Sequence, residues 1–488
     1  MPARLPPTVR DRWSTRLPLP AGSDQPLIAW VFLRVLGLIY LAAFASMGIQ
    51  IEGLIGTEGI LPLNEYLGLA SSTLGAAAYW RLPTLFWLDA SNTALNLACW
   101  AGLLASLLVV LNRVVWGSLA TCYVLYLSLT TAGQGFTSFQ WDLFLLESGF
   151  LALFLSSRSP LVIGLYRFLI FRFMLMGGIV KLASGDPTWR ALTALNFHFE
   201  TEPLPTPLAW HAHHLPGGVL EPATAAVLVI ELVIPFLVFL PRPFRLFAAI
   251  SFIGLQGSII LTGNFGFFNL LTIALCLFLF EDRDILPLFG SRLAGTLRAR
   301  CRPPSRWGGA CAGSMAVFVL SVCGTLVWLS NSPTPPPPPL HDLARAASGF
   351  GIVNGYGPFA VMTTERREII VEGSRDCVSW SAYGFRYKPD ESGKSLSWNI
   401  PHQPRLDWQM WFAALGNAAS QPWFQRFIGR LREGSAPVLG LLSRNPFPDS
   451  PPRHLRALIY RYSYTTPEER ARTGEIWRRE LLGTYYES

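Results

Sequence analysis

Residues 162–183 read VIGLYRFLIFRFMLMGGIVKLA. This stretch is long and apolar enough to cross a bilayer as a helix, which takes about 20 such residues. It also carries Arg167, Arg172 and Lys181, and charged side chains inside a span are costly to insert. The stretch therefore predicts a transmembrane helix whose charges have partners or a function.

Similar apolar windows recur along the first two thirds of the chain. They cover residues 27–49, 93–111, 115–131, 139–156, 162–183, 223–240, 243–262, 266–282 and 310–330. Charged residues make up 14% of the chain, against about a quarter in soluble domains. We therefore predict a polytopic all-α membrane bundle of about nine transmembrane helices over residues 27–330, with an outer loop at 181–222.

The positions of the basic residues predict the orientation of these spans. With a cytoplasmic leader at 1–26 and a retained first span, the inside segments hold Arg4, Arg10, Arg12, Arg16, Arg113, Arg158, Arg242, Arg245, Arg283, Arg292, Arg298, Arg300, Arg302 and Arg306. The outside loops hold Arg81, Lys181 and Arg190. The positive-inside rule favours this arrangement, which places the C-terminal region outside. The net charge of +8 then reflects topology, and we predict no nucleic-acid partner.

A proline-rich linker separates the last span from the C-terminal region. Residues 331–340 read NSPTPPPPPL, which favours a stiff polyproline II spacer. Residues 341–488 contain alternating stretches such as REIIVEG and ALIYRYSY, and amphipathic stretches such as RLDWQMWFAAL. These patterns predict a separate, β-rich α+β soluble domain.

Several ionisable residues fall inside the predicted spans: Arg34, Asp142, Glu147, Arg167, Arg172 and Glu231. Glu147 and Arg172 lie at almost equal distances from the turn between the fourth and fifth spans, so both should lie at one depth. A buried ion pair that fixes helix register is the first interpretation. A proton or substrate path is the alternative.

Lys181 has two interpretations of its own. As a snorkelling anchor it would close the fifth span and keep its ammonium among the headgroups. As a buried group it could act as a base, and Gly177-Gly178 before it allows close helix packing.

The loop after Lys181 is rich in polar and aromatic residues. Asp186 before Pro187 predicts the start of a short helix that runs through Trp189 to Leu195. The surface of this loop is expected to include Asp186, Trp189, Arg190, His198, Glu200, Glu202, Trp210, His213 and His214. The histidine spacing fits no zinc motif, and the seven cysteines include no CxxC pair, so we predict no metal and no cofactor.

Longer strings in the chain resemble the lipase maturation factor family. They include GDPTWRALTAL and HFETEPLPTPLAWHAHHLP in the outer loop, SFQWDLFLLESGFLALF at 138–154, and PHQPRLDWQMWFAALG at 401–416. The resemblance implies an endoplasmic-reticulum membrane protein in animals that helps dimeric secreted lipases to fold, with a C-terminal domain that engages the client. Arginine greatly outnumbers lysine here, which favours a GC-rich bacterium and therefore a location in the bacterial cytoplasmic membrane.

A second, shorter resemblance concerns GIVKL at 178–182, which is similar to a segment of vitamin K-dependent γ-carboxylase. It implies that Lys181 could supply base chemistry, with Glu147 or Asp142 nearby, on a lipophilic cofactor or an exported peptide.

Two classes of function follow. The first is a non-enzymatic, membrane-anchored folding factor for an exported protein, with Arg405, Asp407, Trp408 and Trp411 as client-binding candidates. The second is an integral-membrane enzyme. The i, i+3 spacing of Trp408 and Trp411 also fits an ordinary core-facing helix.

Overall fold

A computed structural model describes residues 25–155, 159–289, 293, 295–296, 306–331 and 334–487. Most of the predicted cytoplasmic leader and much of the basic loop before the last span lie outside these residues. The predictions for Arg4, Arg10, Arg12, Arg16, Arg158, Arg292, Arg298, Arg300 and Arg302 therefore have no structural counterpart here.

The chain is mostly helical as far as residue 349, as its apolar patterning predicts. The helices are α1 Pro26–Gly48, α2 Ile51–Ile55, α3 Leu63–Leu74, α4 Ala78–Arg81, α5 Asn92–Val110, α6 Val115–Ala132, α7 Gln140–Ala152, α8 Pro160–Ala183, α9 Pro187–Arg190, α10 Leu195–Thr201, α11 Pro207–His213, α12 Gly217–Leu232, α13 Arg242–Thr262, α14 Phe268–Cys276, α15 Asp282–Phe289, α16 Arg306–Asn331 and α17 Pro338–Gly349.

Within the described residues, 7 helices are long and apolar enough to cross a membrane: α1, α5, α6, α8, α12 with its 3-10 extension to Phe239, α13 and α16. The windows at 139–156 and 266–282 instead form the shorter helices α7, with 13 residues, and α14, with 9. Most side chains of both helices are buried within the protein. The apolar composition of α7 and α14 therefore reflects packing against other parts of the protein.

The C-terminal region contains the predicted mixture of strands and helices. Its sheet has the order β2-β1-β3-β4 and is antiparallel throughout. The strands are β1 Arg366–Ser374, β2 Trp380–Ala382, β3 His454–Tyr464 and β4 Trp477–Glu487. The remaining helices are α18 Arg405–Ala414, α19 Pro422–Glu433, α20 Ala436–Leu439 and α21 Pro467–Thr473.

The connection between the two parts differs from the expected stiff spacer. Pro338, within the proline run, already begins α17, because proline fits the first turn of a helix. After α17 the chain turns back into the bundle, where the backbone at Gly351 packs on Leu146 and Tyr123 donates to the Phe350 carbonyl at 2.6 Å. One hydrophobic core consequently extends from Leu27 to Ala457, so the C-terminal domain shares a core with the bundle.

Candidate functional site

The C-terminal end of α6 and the N-terminal end of α7 meet the C-terminal domain at a buried ion pair. Both oxygens of Asp142 accept from Arg405, at 2.5 and 2.7 Å, and Tyr126 donates to the same carboxylate at 2.5 Å. The side chains of Arg405 and Asp142 are 1% and 0% exposed. A planar guanidinium that donates twice to one carboxylate fixes orientation as well as distance, so this pair sets how the domain is seated on the bundle.

A second buried pair lies deeper in the bundle. Arg172 of α8 is paired with Glu147 of α7, and the C-terminal domain contributes two further partners. Tyr356 donates to Glu147 at 2.7 Å, as does the Asn354 backbone N–H at 3.2 Å, while Arg172 donates to the Asn354 carbonyl at 2.8 Å. The two buried pairs and their partners form one set of six residues, which we call the seam: Asp142, Glu147, Arg172, Asn354, Tyr356 and Arg405.

The seam bears on the two interpretations of the intramembrane charges. Asn354 and Tyr356 occupy the space beside Glu147 and Arg172 and engage their polar atoms. A group that relays protons or binds a substrate needs an accessible face. The contacts at the seam therefore favour the role that fixes helix register.

Lys181 does not snorkel, so the expectation of a headgroup anchor is wrong. Its side chain is 4% exposed, and its ammonium contacts both carboxylate oxygens of Glu231 in α12 at 2.9 and 2.7 Å. The Gly177 carbonyl accepts from the same ammonium at 3.3 Å, and the Trp189 ring lies 5.2 Å away. The Lys181 side-chain nitrogen is thus engaged by three acceptor oxygens of the protein.

The pairing of Lys181 depends on close contact between α8 and α12. A Cβ added at Gly178 would lie 2.7 Å from Leu232 and 3.0 Å from the Cβ of Glu231. Glycine therefore lets α12 approach close enough for Glu231 to reach Lys181. The sequence identifies Glu231 as a charged residue in a predicted span. The long loop between α8 and α12 prevents a prediction from sequence that Glu231 and Lys181 lie at the same depth.

The outer loop begins as its sequence predicts but its helix is shorter. Asp186 caps α9 by accepting from the Thr188 N–H at 2.7 Å, and its other oxygen accepts from the Met362 N–H at 2.7 Å. Burial would raise the pKa of Asp186, but these hydrogen bonds outweigh it and hold the pKa below its usual value. The helix ends at Arg190, and Leu192 adopts a positive φ of 60° instead of continuing to Leu195.

The rest of the loop lies beneath the sheet. Arg366 of β1 is 1% exposed and donates to the carbonyls of Glu200 and Pro203, each at 2.9 Å. Trp210 donates to the Thr465 carbonyl at 3.1 Å, and Trp189 to the Phe359 carbonyl at 3.0 Å. The loop thus joins bundle and sheet, and among the expected surface residues Arg190 is exposed.

Among the histidines of the loop, His198 is buried and His213 and His214 are half-buried, whereas His211 is exposed. His198 lies 3.8 Å from Glu202, and His213 lies 3.9 Å from Glu200, while His214 contacts the Trp210 carbonyl at 2.7 Å. Burial lowers the pKa of His198 and of His213 to about 4, and it raises the pKa of Glu202 well above its usual value. Among the described residues, no group of three or more His, Cys, Asp or Glu side chains could hold a metal ion.

Comparison with known proteins gives family matches over the ranges that contain the seam residues. A family profile described as the lipase maturation factor transmembrane domain matches residues 27–286, and one described as the lipase maturation factor C-terminal domain matches residues 352–487. The chain belongs to the lipase maturation factor family. Asp142, Glu147 and Arg172 fall in the first match, and Asn354, Tyr356 and Arg405 in the second.

Vertebrate relatives are similar over almost the whole chain. Lipase maturation factor 2 of Gallus gallus is 33% identical over 93% of this chain and 80% of its own length. Lipase maturation factor 2 of Homo sapiens is 32% identical over 96% of this chain and 83% of its own length. Lipase maturation factor 1 of Mus musculus is 33% identical over 99% and 91%, respectively. No solved structure matches the chain.

In this member of the lipase maturation factor family, the residues expected to contact a client are buried. Arg405, Asp407, Trp408 and Trp411 are between 1% and 9% exposed. Asp407 accepts from the backbone N–H groups of Tyr387 and Lys388. Burial raises the pKa of Asp407. The core-facing interpretation of this helix is therefore correct, and these side chains are not available to a partner.

Proposed function

We propose that this chain is a membrane-anchored maturation factor for an exported lipase and that it works without covalent chemistry. The observation that carries the proposal is that both family domains are present and are joined through the buried seam. Its relatives are named lipase maturation factors. A platform that binds an assembly-competent form of a client stabilises that form in proportion to its preferential affinity.

The proposal places the C-terminal domain on the outside of the membrane. The domain contacts the C-terminal ends of α1, α6 and α8 and the N-terminal part of α7, so these ends share one side. The distribution of arginine in the loops supports assigning that side to the exterior. For this chain, with its arginine-rich composition, we propose the bacterial cytoplasmic membrane, which would leave the domain facing the exported client.

The client surface must then be formed by exposed residues instead of α18. Large apolar side chains of the C-terminal domain that remain exposed include Val361, Val378, Trp398, Leu415 and Leu481. Exposed apolar patches mark surfaces that contact another protein, and tryptophan is enriched among the residues that dominate binding energy. These positions are the ones at which a crosslinker should reach the client.

Deletion and complementation in the organism that encodes the chain test the function. We expect deletion to lower the specific activity of an exported lipase while its transcript level is unchanged, and the wild-type gene to restore it. A photo-crosslinking residue at Trp398 or Leu481 should capture that same lipase. The same residue at Trp307, which is exposed at the opposite end of the bundle, is the control. Unchanged lipase activity after deletion would contradict the proposal.

The enzyme hypothesis receives less support from the geometry. A general base needs a lone pair that reaches the substrate, whereas the Lys181 amine is bound by Glu231 and the Gly177 carbonyl. A structural cation that holds α8 against α12 accounts for these contacts. We therefore assign Lys181 to the scaffold that presents the C-terminal domain.

A further inference from the structure

Residues 79–88, which include most of α4 and part of the connection to α5, expose an unusual amount of apolar surface. The exposed apolar residues of this segment are Tyr79 at 56%, Trp80 at 76%, Leu85 at 46% and Leu88 at 88%. Contiguous exposed apolar side chains on a protein mark a surface that contacts another protein or a membrane. The position of the segment distinguishes these two partners.

Hydrogen bonds fix the depth of the segment relative to a transmembrane helix. Thr84 donates to the Ser128 carbonyl at 3.2 Å, and the Leu85 N–H donates to the Ser128 hydroxyl at 3.1 Å. Ser128 lies within the last turn or so of α6, which ends at Ala132. With a rise of about 1.5 Å per residue, the segment lies about 6 Å inside the end of that helix. For a span whose end lies at the bilayer surface, this depth corresponds to the interfacial region.

The apolar surface is also continuous with a lipid-facing helix. Ser91, three residues after Leu88, caps α5 by accepting from the Ala94 N–H. Leu97, Trp100 and Leu104 of α5 are 62%, 70% and 60% exposed, and a span in a bilayer presents such residues to the acyl chains. Leu88 thus lies shortly before the start of a helix whose exposed side includes large apolar side chains.

The side chains of the segment suit an interface between lipid and water. Tyr79 and Trp87 have ring centroids 4.8 Å apart, and the Trp87 indole N–H is satisfied by the Leu82 carbonyl at 2.9 Å. Arg81 is exposed beside Trp80 and can place its guanidinium among headgroups while its stem stays apolar. Tryptophan, tyrosine and snorkelling arginine are typical of the membrane interface.

We propose that residues 79–88 form a lipid-binding wedge that inserts into the headgroup region of the leaflet on the side of the C-terminal domain. The occupant of this surface is phospholipid, because the segment is level with the end of the transmembrane helix α6 and leads into α5, whose exposed side carries large apolar side chains. The wedge anchors the part of the chain against which α17 packs, and it is independent of which client the protein serves.

Depth-dependent fluorescence quenching in a bilayer tests the wedge. Trp80→Cys and Leu88→Cys are labelled separately with NBD in full-length protein whose Cys301, Cys311 and Cys377 are replaced by serine. Cys99, Cys122, Cys276 and Cys323 are buried and are retained. The labelled proteins are reconstituted in phosphatidylcholine nanodiscs, with Arg472→Cys, which lies in the exposed helix α21, as the matched control.

We expect the NBD emission at residues 80 and 88 to shift to shorter wavelength. It should also be quenched more strongly by phosphatidylcholine with a doxyl group near the headgroup than by lipid with a deep doxyl group. The label at 472 should show neither effect. Absence of the shift and of quenching at both 80 and 88, in protein that elutes as the wild type does, would overturn the proposal and leave this surface free for a protein partner. Two labelled positions are used so that a folding defect in one does not remove the test.

Discussion

Two arginine–carboxylate pairs join the C-terminal domain to the transmembrane part, and they differ in their surroundings. At the seam, Arg405 and Asp142 are almost completely buried. A second group of contacts, which we call the rim, consists of Arg426 with Glu65 and Arg430 with the Gly59 carbonyl. The side chains of Arg426 and Glu65 are 2.6 Å apart and are 50% and 51% exposed. Exposed pairs contribute about 0–1 kcal/mol because water and salt screen them, whereas loss of one partner from a buried pair strands a desolvated charge.

The burial of a contact between two domains, more than the number of contacts, determines how firmly the contact holds the domains together. The seam fixes the position of the domain through few, desolvated contacts that reach into the bundle. The rim adds contacts that solvent can replace. Variants that treat the two regions alike in chemistry should therefore differ widely in effect.

The largest expected effect is that of Arg405→Met. It leaves Asp142 buried without its cation, so we expect a loss of about 3–5 kcal/mol of unfolding free energy, measured as a large drop in the thermal midpoint in nanodiscs. Arg426→Met is the matched control and should cost about 0–1 kcal/mol. Similar thermal midpoints for the two variants would contradict the claim that the buried pair is the more important of the two for stability.

Loss of one partner from the second seam pair should be nearly as severe. Arg172→Met leaves Glu147 with Tyr356 and the Asn354 N–H but no cation, and we expect a cost of about 3 kcal/mol or more. The double variant Glu147→Leu with Arg172→Met should recover part of this loss, because no buried charge remains. Recovery is incomplete since Tyr356 loses its acceptor. A double variant less stable than either single one would contradict the assignment.

The ion pair of Lys181 with Glu231 lies within the bundle and should also contribute to stability. Lys181→Met should destabilise by about 2–4 kcal/mol, because Glu231 loses its ion-pair partner at a packed helix contact. Lys181→Arg retains a cation and should cost less, with client maturation preserved in proportion to protein level. If Lys181→Arg abolishes maturation while the thermal midpoint is unchanged, base chemistry becomes the better explanation.

A substitution at Gly178 tests by steric means how closely α8 and α12 pack. Gly178→Ala should destabilise by about 1–3 kcal/mol, since its Cβ would lie 2.7 Å from Leu232. Gly164→Ala, in the same helix, meets nothing within 4 Å and should be neutral or slightly stabilising. Equal thermal midpoints for these two variants would show that α8 and α12 pack less closely than described.

The smallest expected effect depends on pH and concerns Glu202 in the outer loop. Neither of its carboxylate oxygens has a hydrogen-bond partner among the described residues, and burial raises its pKa. The unfolded chain loses the Glu202 proton at lower pH than the folded protein, so the folded state loses stability as pH rises. The gain in thermal midpoint of Glu202→Gln over wild type should therefore grow from about pH 5 to about pH 8.

The neighbours of Glu202 provide the control for that series. His198, Arg366 and Tyr464 face the same carboxyl. Burial of His198, with its pKa near 4, acts in the opposite direction, because stability is lost as pH falls from the ordinary value of 6.5. This contribution is common to both proteins and cancels in their difference. A difference that shrinks as pH rises would refute the buried, protonated state of Glu202.

Local patterns were sufficient to predict the 7 long apolar helices among the described residues, the mixed C-terminal region and the pairing of Glu147 with Arg172. They did not distinguish these helices from the shorter α7 and α14. Hydropathy and alternation depend on neighbouring residues, and the short turn between α7 and α8 fixes their relative depth. The partners of Asp142 and Lys181 could not be found in this way. Arg405 lies 263 residues from Asp142, and the loop between α8 and α12 removes any simple relation of depth between Lys181 and Glu231. The spacing of Trp408 and Trp411 did contain the signal that they face a core.

The most direct test of the seam is a pair of double-mutant cycles in nanodiscs, one for Asp142 with Arg405 and one for Glu65 with Arg426. A cycle isolates the interaction of two side chains from the other effects of replacing each one. We expect a coupling free energy of about 2–3 kcal/mol at the seam and about 0.5 kcal/mol or less at the rim. Coupling energies that are equal within error would contradict the claim that desolvated pairs at the seam hold the C-terminal domain on the bundle.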